Sequence, residues 1–165
     1  MTPRNDTAGP AAPSRAGEDP GLVDALAQLS FLVHNALAEI AGQHGLSIIQ
    51  TRLLGVLRDR EPTMNALGRH LGLDKSSVSG LVDRAQRRGL VTRTVSPADR
   101  RAVQVSITDT GRQLAGHVAA RFTQRIETFV AGLPDADRRL LSQLATQIVT
   151  TDADRLGIGL GATAG

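Results

Sequence analysis

From Leu22 to Ile40 the apolar residues fall alternately four and three positions apart, at Leu22, Leu26, Leu29, Val33, Ala36 and Ile40. This is the seam of an amphipathic helix. Val23, Leu32 and Leu37 widen it, so the pattern predicts a helix covered on more than one face. A core helix and a partner-facing helix both fit. Gly42 and Gly45 close it. Ser47-Ile48-Ile49-Gln50 then has the form of a capping box, and Leu53, Leu54, Val56 and Leu57 carry a second helix up to Arg58–Pro62.

The stretch 63–108 changes period. Thr63 suits an N-cap, with Met64, Leu67 and Leu71 on one helical face. Gly72 supplies a turn, Leu73 plugs its corner, and Asp74 caps a further helix to about Arg88. Val78, Leu81, Val82 and Ala85 form the buried stripe of that helix. Two short helices joined by a glycine turn are a helix-turn-helix, whose second helix enters the DNA major groove. After Gly89, residues 90–95 and 102–107 alternate with period two around the turn Ser96-Pro97-Ala98-Asp99-Arg100-Arg101. They predict a β-hairpin with a basic tip, a wing.

Thr108 caps a long helix to about Ala131, with Leu114, Val118, Phe122, Ile126 and Phe129 on one side. Gly132-Leu133-Pro134 breaks it, and a last helix from Asp135 to about Thr151 carries Leu140, Leu141, Leu144 and Ile148. The predicted fold is mainly α with a small hairpin: about six helices and two to three short strands. Residues 1–20, rich in Pro, Ala, Gly and charge, read as a disordered tail, and 156–165 as a frayed end. Between them lie an N-terminal helix (21–45), a winged helix-turn-helix lobe (46–108) and C-terminal helices (109–155).

Composition narrows the chemistry. The chain has 165 residues, 41% of them hydrophobic, with three Phe and no Trp or Tyr, so the core is aliphatic. It has no cysteine, which excludes disulfides, thiolate metal sites and sensing by cysteine oxidation. No uninterrupted apolar run reaches the ~18–20 residues of a membrane span, and the N-terminus shows no apolar signal core. The expected compartment is the cytoplasm, with no membrane partner, no metal and no cofactor. Of the net charge of +3, residues 61–107 carry eight Lys/Arg against four acids. The positive field is local, as a phosphate-binding face requires, although a solvated surface would show the same balance.

Within that segment the N-terminus of the second helix of the pair predicts free N–H groups suited to a phosphate. Lys75, Ser76, Ser77, Ser79 and Gly80 keep it slim or cationic, and the serine hydroxyls can bond phosphates or base edges. Arg84 and Arg87 follow on the exposed side, with Asp83 expected to orient one of them. Arg87 and Arg88 also fit as C-terminal charges favoured by the helix dipole. Arg93 and Arg100 complete the candidate DNA contacts, together with Asp99 and Arg101, whose spacing lets the carboxylate hold the guanidinium for a minor groove. A solvent-exposed ion pair without a role is the plainer alternative.

LGLDKSSVSGLVDRAQRRGLVTR and SPADRRAVQVSITDTGRQL closely resemble the MarR (multiple antibiotic resistance regulator) family of winged-helix transcription factors. The likeness spans about Leu46 to Leu114 and rests on R-x-x-R-R-G-L-V-x-R, the D-R-R tip and T-x-x-G opening the long helix. It implies a homodimer on a pseudo-palindromic double-stranded DNA site. The first and last two helices would interlock, through Leu22, Leu26, Leu29, Phe129, Leu140, Leu141, Leu144 and Ile148. It further implies Ser76, Ser77, Ser79 and Arg84 at groove and backbone, Arg101 as minor-groove finger beside Asp99, and Arg100 at a phosphate.

Many members are repressors released by a small phenolic or anionic ligand, here near residues 34–57 and 114–122. His34, His44, Arg52 and His117 are the candidate polar groups. The peroxide-sensing and urate-responsive subtypes need the Cys or Trp this chain lacks, and no His/acid cluster suggests zinc sensing. No catalytic motif supports an enzyme. The competing readings are a protein-interaction module, which would show apolar residues on the exposed side of the second helix, and a sequence-nonspecific DNA binder.

Overall fold

A computed structural model describes residues 21–97 and 99–155; the predicted tails lie outside the described residues. The order is α1 (Gly21–Gln43), α2 (Ile48–Arg58), α3 (Met64–Leu71), α4 (Lys75–Arg87), β1 (Val91–Val95), β2 (Val103–Ile107), α5 (Asp109–Val130) and α6 (Asp135–Arg155). The strands pair antiparallel, from Val91 opposite Ile107 to Val95 opposite Val103. A third strand reduces to one bridge, Thr63 to Gln104. Beside it Val105 donates its N–H to the Pro62 carbonyl (3.0 Å), and Gln104 Nε2 reaches the Glu61 carbonyl (2.6 Å).

The helix starts follow local chemistry. Gln50 N–H donates to Ser47 Oγ while Ser47 N–H donates to Gln50 Oε1, a complete capping box. Thr63 Oγ1 accepts from Ala66 N–H, and Thr108 Oγ1 from Gly111 N–H. Gly72 ends α3 at φ +66°, a left-handed conformation that costs glycine little.

The core lies where α1, α2, α3, α4, α5 and the hairpin converge. Leu53, Leu54, Leu57, Leu67, Leu81, Val82, Val91 and Val105 are almost wholly excluded from solvent, each stabilising the fold by roughly 1.5–3 kcal/mol. From α1 only Ala36, Ile40 and Ala41 are buried. Leu22, Val23, Leu26, Leu29, Phe31 and Leu32 stand 40–79% exposed. Every α6 residue from 135 to 152 is exposed, with Leu140, Leu141, Leu144 and Ile148 at 39–60%. Phe129 is half-buried, with the Arg125 guanidinium 4.9 Å over its ring.

α1 also corrects one expectation. By length and composition its 23 residues suffice to cross a bilayer, with a mean hydropathy of 1.2 in an 18-residue window. It contains no uninterrupted apolar run because Gln28, Ser30, His34 and Asn35 fall between the apolar positions. The C-terminal end of the helix nevertheless packs into the lobe through Ala36, Ile40 and Ala41.

Candidate nucleic-acid interface

Asp74 shapes the start of α4. Its carboxylate accepts the backbone N–H groups of Ser76 (2.8 Å) and Ser77 (2.9 Å), and both serine hydroxyls donate to it at 2.6 Å. These hydroxyl and backbone bonds hold the carboxyl well below the usual range of an aspartate. The expectation of free N–H groups for a phosphate is therefore corrected: a carboxylate of this chain already sits there. Ser76 and Ser77 keep lone pairs free, so they face outward as acceptors rather than donors.

The rest of the exposed side of α4 is polar. Lys75, Arg84 and Arg87 are exposed, Ser79 and Gly80 half-buried. Gly80 lies beside Arg84: a Cβ there would touch Arg84 Nη1 at 3.4 Å.

Two predicted pairings differ in the structure. Asp83 orients neither Arg84 nor Arg87; it forms an ion pair with Arg93, on β1. Arg93 also donates to Gln86 Oε1 (3.1 Å) and to the Ser79 carbonyl (3.3 Å). Its guanidinium is thus committed to bracing α4 against the hairpin. At the tip, Asp99 Oδ1 accepts the backbone N–H of Arg101 (2.9 Å) instead of holding its guanidinium. The segment is a turn rather than extended chain, so the two side chains do not share a face. Arg100 and Arg101 are both exposed.

The hairpin, the start of α3 and the start of α4 enclose an open cleft of about 430 Å³. Lys75, Ser79, Arg93 and Arg101 line it, with Thr63, Met64 and Asn65. The last three carry no signal of such a role in the sequence, because Thr63 and Met64 already serve as cap and apolar face. The cleft joins the cationic tip to the small-residue start of α4.

Away from this cleft, α1, α2 and α5 enclose a second cavity of about 240 Å³. Leu37, Leu46, Leu54, Val118 and Phe122 make it apolar, while Arg52 and Arg58 supply charge. It falls within the predicted ligand region but changes the polar set. Arg52 is on the lining; His34, His44 and His117 are not. The Arg58 guanidinium is paired with Asp59 (3.1 Å), so Arg52 is the candidate counter-charge.

Residues 44–102 match the model of the MarR family. The chain is 30% identical over 108 residues to the HTH-type transcriptional repressor NicR of Pseudomonas putida, covering 65% of this chain and 68% of that one. The chain belongs to the MarR family. Another relative, a transcriptional regulatory protein for the hcr operon of Thauera aromatica, is 28% identical over 92 residues; the match covers 56% of this chain and about half (55%) of that protein's length. CouR of Rhodococcus jostii RHA1, solved bound to p-coumaroyl-CoA, superposes with a TM-score of 0.66 at 25% identity, over 83% of this chain and 92% of its own. As in other MarR-family regulators, the fold is a winged helix flanked by long helices, so the resemblance in the T-x-x-G and D-R-R motifs extends to the architecture.

Proposed function

We propose that this MarR-family regulator is a homodimeric repressor that binds a pseudo-palindromic double-stranded DNA site and is released by a small aromatic anion. The observation that carries the DNA reading is the exposed side of α4. It presents Ser, Gly and Arg beside a cationic cleft, where a protein-docking surface would present apolar groups. In this reading α4 enters the major groove, with Ser79, Gly80, Arg84 and Arg87 against bases and backbone. Lys75 and Arg100 take phosphates, and Arg101 probes the minor groove from a tip that Asp99 shapes. Arg93 acts through α4 and not on the DNA.

Dimer formation is supported by the two bare apolar stripes, on the N-terminal half of α1 and along α6. A second copy covering them would set two α4 helices about one DNA turn, ~34 Å, apart. The decisive experiment is fluorescence anisotropy with the palindromic DNA upstream of the protein's own gene against a scrambled duplex. Equal affinity for both would sink site-specificity. In the same assay Arg101→Ala should weaken binding and lower the slope of log K against log salt by about one per wing. An unchanged slope would remove the tip from the contact set.

The ligand reading rests on the apolar cavity and Arg52. Cavities of about 150 Å³ already admit benzene, so this larger one suits a substituted aromatic ring with its anionic group on Arg52. CouR, bound to an aromatic acyl thioester, supports that class. Free p-coumarate and p-coumaroyl-CoA should each be tried for release of the operator. Arg52→Ala should raise the effective concentration by roughly tenfold, the worth of one charged hydrogen bond. Release that is insensitive to Arg52 would place the anion elsewhere.

A further inference from the structure

The turn that ends α1 accepts a side chain from far along the sequence. Arg88 donates from Nη1 to the Gly45 carbonyl (2.7 Å) and from Nη2 to the His44 carbonyl (3.2 Å), 43 and 44 residues away. α1 has no basic residue in its own last turn. The final carbonyls of a helix carry a partial negative charge. In α1 those of Ala41 and Gly42 already accept the N–H groups of His44, Gly45 and Leu46, and Arg88 brings the opposing charge to the two carbonyls that follow, His44 and Gly45. Its backbone meanwhile is the C-cap of α4, with its N–H on the Arg84 carbonyl. One residue therefore ends α4 with its main chain and grips the end of α1 with its side chain.

The position of this grip matters. α1 is a rod of 23 residues, about 34 Å long at ~1.5 Å per residue. Its far end carries the exposed Leu22, Val23 and Leu26. Its near end meets Arg88. From the hairpin side, Arg93 holds α4 at Ser79, Asp83 and Gln86. α4 is thus braced at its middle by β1 and at its end by α1.

We propose that Arg88 is a positioning residue that locks α4 to the end of α1, and so transmits the orientation of the dimer base to the DNA-reading surface. The proposal rests on the dimeric DNA-binding reading above. The chemistry calls for arginine: two neighbouring carbonyls need two donors from one planar fork, which a lysine ammonium does not provide. Gly45 suits the turn through its backbone, at φ +64°; a Cβ there would only touch Arg88 Nη2, at 3.8 Å. Arg88 is exposed and outside the leucine core. Its removal leaves each lobe folded and able to read a half-site, while the angle between the two α4 helices is no longer set.

The chain has no cysteine, so Arg87→Cys on α4 gives one spin label per protomer. Double electron–electron resonance on the DNA-free protein then reads the distance between the two α4 helices. Adding Arg88→Gln should broaden the distance distribution, and Arg88→Lys should broaden it less. In unlabelled protein, Arg88→Gln should preserve half-site affinity and salt slope. It should lose about tenfold of the preference for the natural operator over one lengthened by about two base pairs, the order of one lost specific contact. A distribution as narrow as that of the parent would overturn the proposal. So would an equal loss on half-site and full operator with the salt slope lowered by about one, which would make Arg88 a phosphate contact. Should the unsubstituted protein fail to distinguish operator from scrambled DNA while Arg88→Gln broadens the distribution, the DNA reading falls and the mechanical link stands.

Discussion

Gly111→Ala should destabilise the protein by about 3 kcal/mol, the upper part of the range for forcing a methyl into a packed site. A Cβ at Gly111 would collide with the Leu90 carbonyl oxygen and lie 2.9 Å from Ile107 Cγ1. The first of these is main chain and cannot swing aside. It is fixed because the same carbonyl accepts the Thr108 N–H (3.0 Å), while Thr108 Oγ1 donates to the Gly89 carbonyl (2.7 Å). The first turn of α5 is thus seated directly on the chain leaving α4. Urea unfolding should show the midpoint falling with little change in slope. Gly116→Ala, in the same helix with open space around it, is the control. It should stabilise by about 0.5–1 kcal/mol through helix propensity. Equal behaviour of the two variants would refute the packing argument.

On the proposed homodimeric reading, deleting residues 134–165 should leave a monomer and lower affinity for a palindromic operator by about 10²–10⁴, the gain that a second tethered contact ordinarily provides. α6 adds no residue to the main core cluster, and of its described residues only Ala153 near its end is buried, so its removal leaves the lobe standing. Its leucines make sense as surface meant for a second copy. Leu144→Asp with Ile148→Asp should act in the same direction without shortening the chain, by placing charge where apolar contact is needed. Sedimentation equilibrium reads the mass and anisotropy the affinity. A dimer that survives both changes would move the interface away from α6.

The extent to which these features were legible in the sequence varied with the range of the interaction. Ser47 with Gln50, Thr63, Asp74 and Thr108 each cap a helix through partners two or three residues away. The 3.6- and 2-residue periods likewise report which side of each element faces inward, because burial repeats with the backbone geometry. The signature R-x-x-R-R-G-L-V-x-R, D-R-R and T-x-x-G is likewise local, and it pointed to the family whose model residues 44–102 match.

Side-chain partners behaved differently. Asp83 lies one residue from Arg84 and four from Arg87, yet it pairs with Arg93, because the hairpin folds back and presents that guanidinium to α4. Asp99 and Arg101 would share a face in a strand but sit in a turn, which gives the carboxylate a backbone N–H instead. The histidines singled out for a ligand lie outside the apolar cavity, since helix packing and not residue type decides what lines it.

By itself, then, the sequence determined the six helices, the hairpin, their caps and the family, because each depends on contacts within a turn or on a repeating pattern. Only the tertiary structure decided what Arg88, Arg93 and Gly111 do. Arg88 meets carbonyls more than forty residues away, Arg93 crosses from strand to helix, and Gly111 is required by a carbonyl of another segment. Long side chains and close approaches are settled by which elements happen to be neighbours in space. No local pattern carries that information.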